Sequence, residues 1–445
     1  MKSILPHNFR KIQRDKVIFG SSPTVFVGHQ GYPNNVNFGP MIPIDHDVLD
    51  RLNIKGNKKD TSILDRSESW FGKQIEEIVA FRSALVRSNF RVNVFSAGNF
   101  TKPRSVDEIS ENLNRQNRKL LDASQELAMS KTSVDTEAEF SKIRLNMKFD
   151  ISSAPAGPSG NAIKIDIADN IKPHPKVEYV VSDTDLKSVD AIVDYLYPTN
   201  LSGSEVKDPT DKSSVTESEI QRIFSAGLLG QSRARRLVPT RWSITAVDDI
   251  ISKSLAEQIK KFPQINEYIT FHSRYLDNNF IILLIPGPWS YEMMEIWQAD
   301  SIWTQAVPGV QQGIKNQIPN IIQDHEMEKG RKNYASHITG AYYAARKEVT
   351  EFLYRNRKQA RCVVFREVSG GYITPLGVWV IRESVKSALA QGFSGDGVEK
   401  TDTLRSAVSR IKNENFSVPL EYWMRTSKLL KEIRRQRRLD EWMKK

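Results

Sequence analysis

The 445-residue sequence predicts an α+β fold of mixed, largely antiparallel sheets with packed helices, ending in an exposed basic helix or tail. Three observations point there. Strand-like alternation and helix-period apolar spacing follow one another irregularly, without the strand–helix–strand regularity of a doubly wound sheet. "YITFHSRYLDNNFIILLIP" and "RCVVFREVSGGYITPLGVWVIRES" each read as two extended runs about a polar turn, the signature of a hairpin. Residues 425–445 hold nine Lys/Arg against three Asp/Glu, so +6 of the net +11 sits in the tail.

Taken in order, the first 60 residues are rich in turn formers, as in "GSSPTVFVGHQGYPNNVNFGPMIP". Interleaved aromatic and aliphatic residues predict an ordered, loop-rich segment packed on the body. "SWFGKQIEEIVAFRSALVRSN" places Phe71, Ile75, Ile78, Val79, Phe81 and Leu85 at helical spacing, and "FRVNVF" follows as a strand. Val106 to Met129 reads as one polar helix. "FSKIRLNMKFDIS" and "IKIDIA" read as strands across the turn "APAGPSGNA", followed by the strand "VEYVVS" and a helix from Asp185 to Tyr195. The polar stretch at about 199–218 has no core-forming cluster and reads as a linker or insertion. Beyond it come a short helix, an arginine-rich stretch and a helix from about Thr245 to Phe262. The first hairpin then turns at Asp277-Asn278-Asn279. A helix from about Tyr334 to Arg357 leads to the second, turning at Ser369-Gly370-Gly371. The last helix starts near Pro419, a residue suited to a first turn.

Composition excludes several classes. The 39% hydrophobic and 26% charged residues are those of a globular protein. No apolar run reaches the roughly 18 residues of a membrane span; "FIILLIPGPW" is cut by Pro286 and reads as a buried strand. The start, "MKSILPHNFRKIQRD", lacks the apolar core of a secretion signal. The expectation is a cytoplasmic protein with no membrane partner. The single cysteine, Cys362 in "ARCVVFREV", excludes an internal disulfide and a cysteine zinc finger, and reads as a small core residue. No HExxH, GxSxG or Rossmann glycine pattern is present, and no metal site is expected.

The most unusual local composition is Ile220 to Val247, with five arginines and neither acid nor lysine. Its centre, "GLLGQSRARRLVPTRWS", offers Arg233, Arg235, Arg236 and Arg241, with Trp242 able to stack on a base. Either these arginines grip phosphate, or they pair with acids of other segments. The one-signed composition favours phosphate, since a structural ion network draws on both signs. In "GHQGYPNNVNFGP", His29 and Gln30 sit in a glycine-rich loop that could present N–H groups to a phosphate, though equally a structural turn. Carboxylate candidates are sparse. Asp135 and Glu137 alternate in "VDTEAEF" as solvated strand residues do, and are the pair a metal-dependent nuclease would call on; Glu292 or Glu348 could serve a transferase that uses a nucleotide such as NAD. No cofactor is indicated.

The tail contains Gln436, Leu439, Trp442 and Met443 in "QRRLDEWM". This resembles the PIP box, the peptide that docks on the sliding clamp PCNA, with Met443 in place of the second aromatic. One helical turn brings Leu439, Trp442 and Met443 to one side as an apolar plug, Gln436 beside them, with flanking cations suited to an acidic partner. Four long stretches, "FGKQIEEIVAFRSALVRSNFRVNV", "SAGLLGQSRARRLVPTRWSITAVDD", "ILLIPGPWSYEMMEIW" and "ITGAYYAARKEVTEFLYRNRKQARCVVFREV", make the chain resemble the archaeal Nre family of DNA repair proteins. The resemblance implies an N-terminal segment over 1–60, an Nre N-terminal domain over 61–325, a C-terminal domain over 326–424 and the clamp-binding tail over 425–445. It implies damage repair through PCNA, with DNA as a second partner. Relatives often begin with a cysteine-containing, zinc-finger-like segment; this chain has no cysteine there, so zinc is not carried over. The enzyme alternatives, a nuclease or an ADP-ribosyltransferase-like transferase acting on DNA or protein, stay open.

Overall fold

Two sheets organise the chain, each within its own compact unit. The computed structural model describes residues 17–22, 24–29, 35–43, 62–83, 85–87, 90–96, 99–130, 134–146, 164–173, 216–230, 232–298, 321–372, 376–395, 398–411 and 416–443. Along 17–22, 134–146, 164–173 and 436–443, and at some other element ends, the backbone alone is described. One unit comprises Met1–Asp150 and Ser159–Val247, the other Ile151–Pro158 and Asp248–Lys445. The helix predicted at Asp185 to Tyr195 and most of the insertion at about 199–218 lie outside the described residues.

The first unit begins with β1 (Val17–Ser22), β2 (Thr24–His29) and β3 (Asn35–Pro43). These are strands where the turn-rich composition had indicated loop. The alternation inside "TVFVGH" and "NVNFGPMIP" outweighs the turn formers, and Val25, Val27, Val36 and Phe38 are buried. Next come α1 (Ile75–Ser83), β4 (Leu85–Arg87) and β5 (Arg91–Asn93), then β6 (Phe95–Ser96) and β7 (Asn99–Pro103), which pair with each other. The main sheet is completed by β8 (Val134–Asn146) and β9 (Lys164–Pro173), in the order β1-β8-β9-β4-β3-β2 with β5 on β3. Only the β4–β9 pairing is parallel among its described strands.

The helix expected over 106–129 is two, α2 (Val106–Glu111) and α3 (Arg115–Ala128). Ser105 and Glu108 close a capping box on the first. Asn114 caps the second by accepting from the Asn117 N–H at 2.7 Å. Caps of this kind contribute about 1 kcal/mol each. A further box, Thr216 with Glu219, starts α4 (Glu217–Ser225). The boundary between the units falls within α5 (Thr240–Ile259).

In the second unit, β10 (Tyr268–Tyr275) and β11 (Asn278–Ile285) form the first predicted hairpin. Its turn is Leu276-Asp277, one residue earlier than expected, with φ of 48° and 55°. That is the left-handed pair of a tight two-residue turn. Strands β12 (Ser290–Trp297), β13 (Ile322–Glu326), β14 (Arg361–Val368) and β15 (Glu399–Thr401) complete a mixed sheet in the order β13-β12-β14-β11-β10-β15. The second predicted hairpin is not one. After β14 the chain turns at Ser369–Tyr372 and enters α7 (Trp379–Leu389), preceded in sequence by α6 (Gly340–Arg355). Trp379, Val380, Ile381 and Val385 are buried, a helical rather than an alternating pattern.

Both faces of this sheet are covered, so β11 is buried along its whole length. On one face Tyr291 meets Tyr342 of α6 edge-on at 5.0 Å, and Phe271 meets Phe352 at 5.4 Å. On the other, Ile281, Leu283, Ile285 and Phe365 join residues of α8 (Leu404–Ile411), α9 (Leu420–Thr426) and α10 (Lys428–Met443). Trp423 is fully buried at that centre, edge-on to Phe365 at 5.7 Å. Cys362 is a core residue as expected, and burial pushes its thiol well up. No described helix is long and apolar enough to cross a membrane.

Candidate functional site

The arginine-rich stretch is a shaped connection between α4 and α5. It leaves α4 through Gly227, whose φ is +71°. A Cβ there would lie 2.5 Å from Val106 Cγ2 and 3.0 Å from the Arg236 carbonyl carbon, so only glycine lets these segments approach. A short 3₁₀ turn at Ser232–Ala234 follows. Both neighbours then hold the extended part: the Val106 N–H donates to Arg235 O at 2.9 Å, and the Val238 N–H to Ser225 O at 3.0 Å. Ser225 Oγ donates to Val238 O at 2.7 Å, while Thr240 Oγ1 accepts the Val27 N–H of β2 at 3.1 Å.

This scaffold divides the five arginines. Arg222 points inward and donates to the carbonyls of Ala128 at 2.8 Å and Ser130 at 2.7 Å. Burial lowers its guanidinium, with Glu219 opposing. Arg235 is half-buried, and its Nε donates to Gly230 O at 2.8 Å. Arg233, Arg236 and Arg241 are exposed. Among the described residues their guanidinium groups make no hydrogen bond or ion pair. Trp242, in the first turn of α5, is 51% exposed. The sequence cannot distinguish Arg222 from Arg236; what separates them is which side of the chain faces the Ala128–Ser130 carbonyls. The Val27 link sets β2 against this connection, and His29 is the strand's last residue. The side chain of His29, and all of Gln30, lie outside the described residues.

Two of the carboxylate candidates are engaged by structural partners, and the other two are described in their backbone alone. Glu292 on β12 is fully buried and accepts from Ser427 Oγ, the Lys428 N–H at 2.8 Å and the Leu429 N–H at 3.2 Å. It thus closes the N-terminus of α10, where Ser427 Oγ also accepts the Leu430 N–H at 3.0 Å. Burial raises its carboxyl, the three hydrogen bonds opposing. Glu348 on α6 is buried against Lys347 Nζ at 2.9 Å, and Lys347 also reaches Glu351 at 2.7 Å. Asp135 and Glu137 fall on β8, opposite Ser21 and Phe19 of β1, and their side chains lie outside the described residues. Among the described residues no group of three His, Cys, Asp or Glu is placed to hold a metal.

Sequence reading missed the buried charge of the second unit. Arg346 donates to Glu326 at 2.6 Å and to Asp249, Arg366 pairs with Glu295, and Arg382 reaches both carboxylate oxygens of Asp248 at 2.7 Å. The available signal was a charged residue inside an otherwise apolar run, as in "CVVFREV".

The last predicted helix is α9, which starts just after Pro419 and breaks at Ser427, and then α10. Leu429, Leu430 and Ile433 are buried and root α10 on the sheet. Gln436, Leu439, Trp442 and Met443 fall in its remaining turns, and their side chains lie outside the described residues.

Two family models match the chain: "Archaeal Nre, N-terminal" over residues 4–304 and "Archaeal Nre, C-terminal" over residues 326–442. The chain is 32% identical to the DNA repair protein NreB of Archaeoglobus fulgidus over 99% of its own length and 95% of that protein. It is 32% identical to the DNA repair protein NreA of the same organism, over 90% and 87%. A Haloferax volcanii DNA repair protein NreA is 31% identical over 88% and 83%. No solved structure matches.

Proposed function

Because the chain belongs to the archaeal Nre family, we propose that it acts in DNA repair in the cytoplasm, brought to DNA by the PCNA sliding clamp. Its tail residues Gln436, Leu439, Trp442 and Met443 engage the clamp, and its arginine connection grips nucleic-acid phosphates. The observation that carries the second part is the sorting of the arginines. Arg222 and Arg235 are spent on backbone carbonyls. Arg233, Arg236 and Arg241 are held outward on a rigid connection, with no acid in the stretch. Bidentate guanidinium groups presented this way suit phosphate oxygens. The first part is supported by the tail pattern and by the secure root of α10, which offers a peptide from a fixed base.

The enzyme readings gain no support from Glu292 or Glu348, whose carboxylates have structural partners. Clamp binding is tested by calorimetry with PCNA. A chain ending at Ile433 should lose measurable affinity, and Trp442→Ala should weaken the full chain by about 2 kcal/mol, roughly thirtyfold. Equal affinity of the shortened and full chains would refute the tail assignment. Phosphate contact is tested by replacing Arg233, Arg236 and Arg241 together with alanine. DNA affinity should fall, and the salt dependence on duplex should flatten by about 2–3 in log–log slope, near 0.9 per lost contact.

A further inference from the structure

We infer that the arginine connection is built for unpaired nucleotides: its ligand is single-stranded nucleic acid, or a strand with an unstacked base, seated on Trp242. This inference rests on the phosphate-binding reading above. Trp242 is among the few large apolar side chains exposed anywhere in the described residues, at 51%. Its neighbour in sequence is the exposed Arg241, and Arg236 and Arg233 stand outward on the same connection.

Position and chemistry agree. The ring is mounted on the first turn of a 20-residue helix, and the residues before it are pinned through Val238, Thr240 and Ser225. The platform is therefore fixed before a ligand arrives, which lowers the ordering cost of binding. An indole face accepts any base, whereas duplex bases present no face without unstacking. Guanidinium groups along the same segment meet the phosphates that a stacked base brings with it.

The test uses the full chain and fluorescence anisotropy on a labelled oligothymidylate of about sixteen nucleotides and on a duplex of equal length. Trp242→Ala should weaken single-strand binding about tenfold or more, leave duplex binding within about twofold, and leave the salt slope unchanged. Trp242→Phe should restore most of the single-strand affinity, because a ring face is kept. Unchanged melting temperature for both variants would confirm that only the surface was altered. Equal loss on both ligands, or no loss on either, would overturn the inference. If the triple arginine variant still weakens binding in that case, phosphate contact survives and only the stacking claim fails. If neither the arginines nor the tryptophan matter, both readings fail together.

Discussion

The two units use the same residue in opposite ways. In the second unit Arg346, Arg366 and Arg382 are nearly or fully buried, and each faces a carboxylate from another element. In the first, Arg233, Arg236 and Arg241 face outward without a counter-charge among the described residues, on a connection whose remaining arginines hold backbone carbonyls. The difference shows that local charge composition is a poor guide to burial and a better guide to partners. Where acids stand near in sequence or across a sheet, as Glu295 stands beside Arg366 in the β12–β14 register, arginine closes an internal pair. Where none are encoded, the guanidinium either turns to backbone carbonyls, as Arg222 and Arg235 do, or stays exposed, as Arg233, Arg236 and Arg241 do.

The strongest way to break this comparison is to remove an internal cation. Arg366→Met should destabilise the fold by about 3–5 kcal/mol in urea unfolding, because Glu295 would stay buried without its cation. A loss below about 1 kcal/mol would mean the pair is not the internal support described. Next is Arg222→Ala, which strands the Ala128 and Ser130 carbonyls and should cost about 2–3 kcal/mol despite lying in the acid-free stretch.

A third expectation concerns pH. Burial raises the Glu292 carboxyl above its ordinary value of 4.5. In the window above 4.5 the native state holds more proton than the unfolded chain. Stability from this group is therefore greatest below that window and declines as pH rises through the raised value. Glu292→Gln should flatten that component of the melting-temperature profile, and a profile unchanged by the substitution would contradict it. Ser427→Ala, which removes the cap shared with Glu292, should cost about 1 kcal/mol and lower hydrogen-exchange protection in the first turn of α10. The smallest effect on stability is Arg236→Ala, within about 0.5 kcal/mol of the parent, though it should weaken nucleic-acid binding. Destabilisation on the scale of Arg222→Ala would place Arg236 among the internal arginines.

Much of the fold was legible where one period dominated. β11 is continuous apolar sequence and is buried along its length, and the first hairpin lies one residue from its expected turn. Three failures share a cause, a local signal overruled by a neighbour. Asn114, by capping a new helix start, divided one periodic stretch into two helices. Ser369 to Gly371 reads as a hairpin turn, yet the Ser369 N–H donates to Asp277 O and the Gly371 N–H to the Asp277 carboxylate, so the segment braces another turn. The strands of 17–43 were hidden by turn residues that their sheet partners tolerate. At the candidate site, the stretch was legible from its missing acids, but its division was not. Whether an arginine turns inward or stays exposed depends on carbonyls some 90 residues away in the chain.

The Glu292 clasp also has a mechanical meaning. β12 lies inside its sheet, flanked by β13 and β14, and its carboxylate grips the base of the C-terminal helix. A tug along that helix is therefore passed to an interior strand through several hydrogen bonds stressed together, where a tether at a sheet edge would unzip one bond at a time. A pull on the far end of α10 is therefore borne by an interior strand and not by a sheet edge.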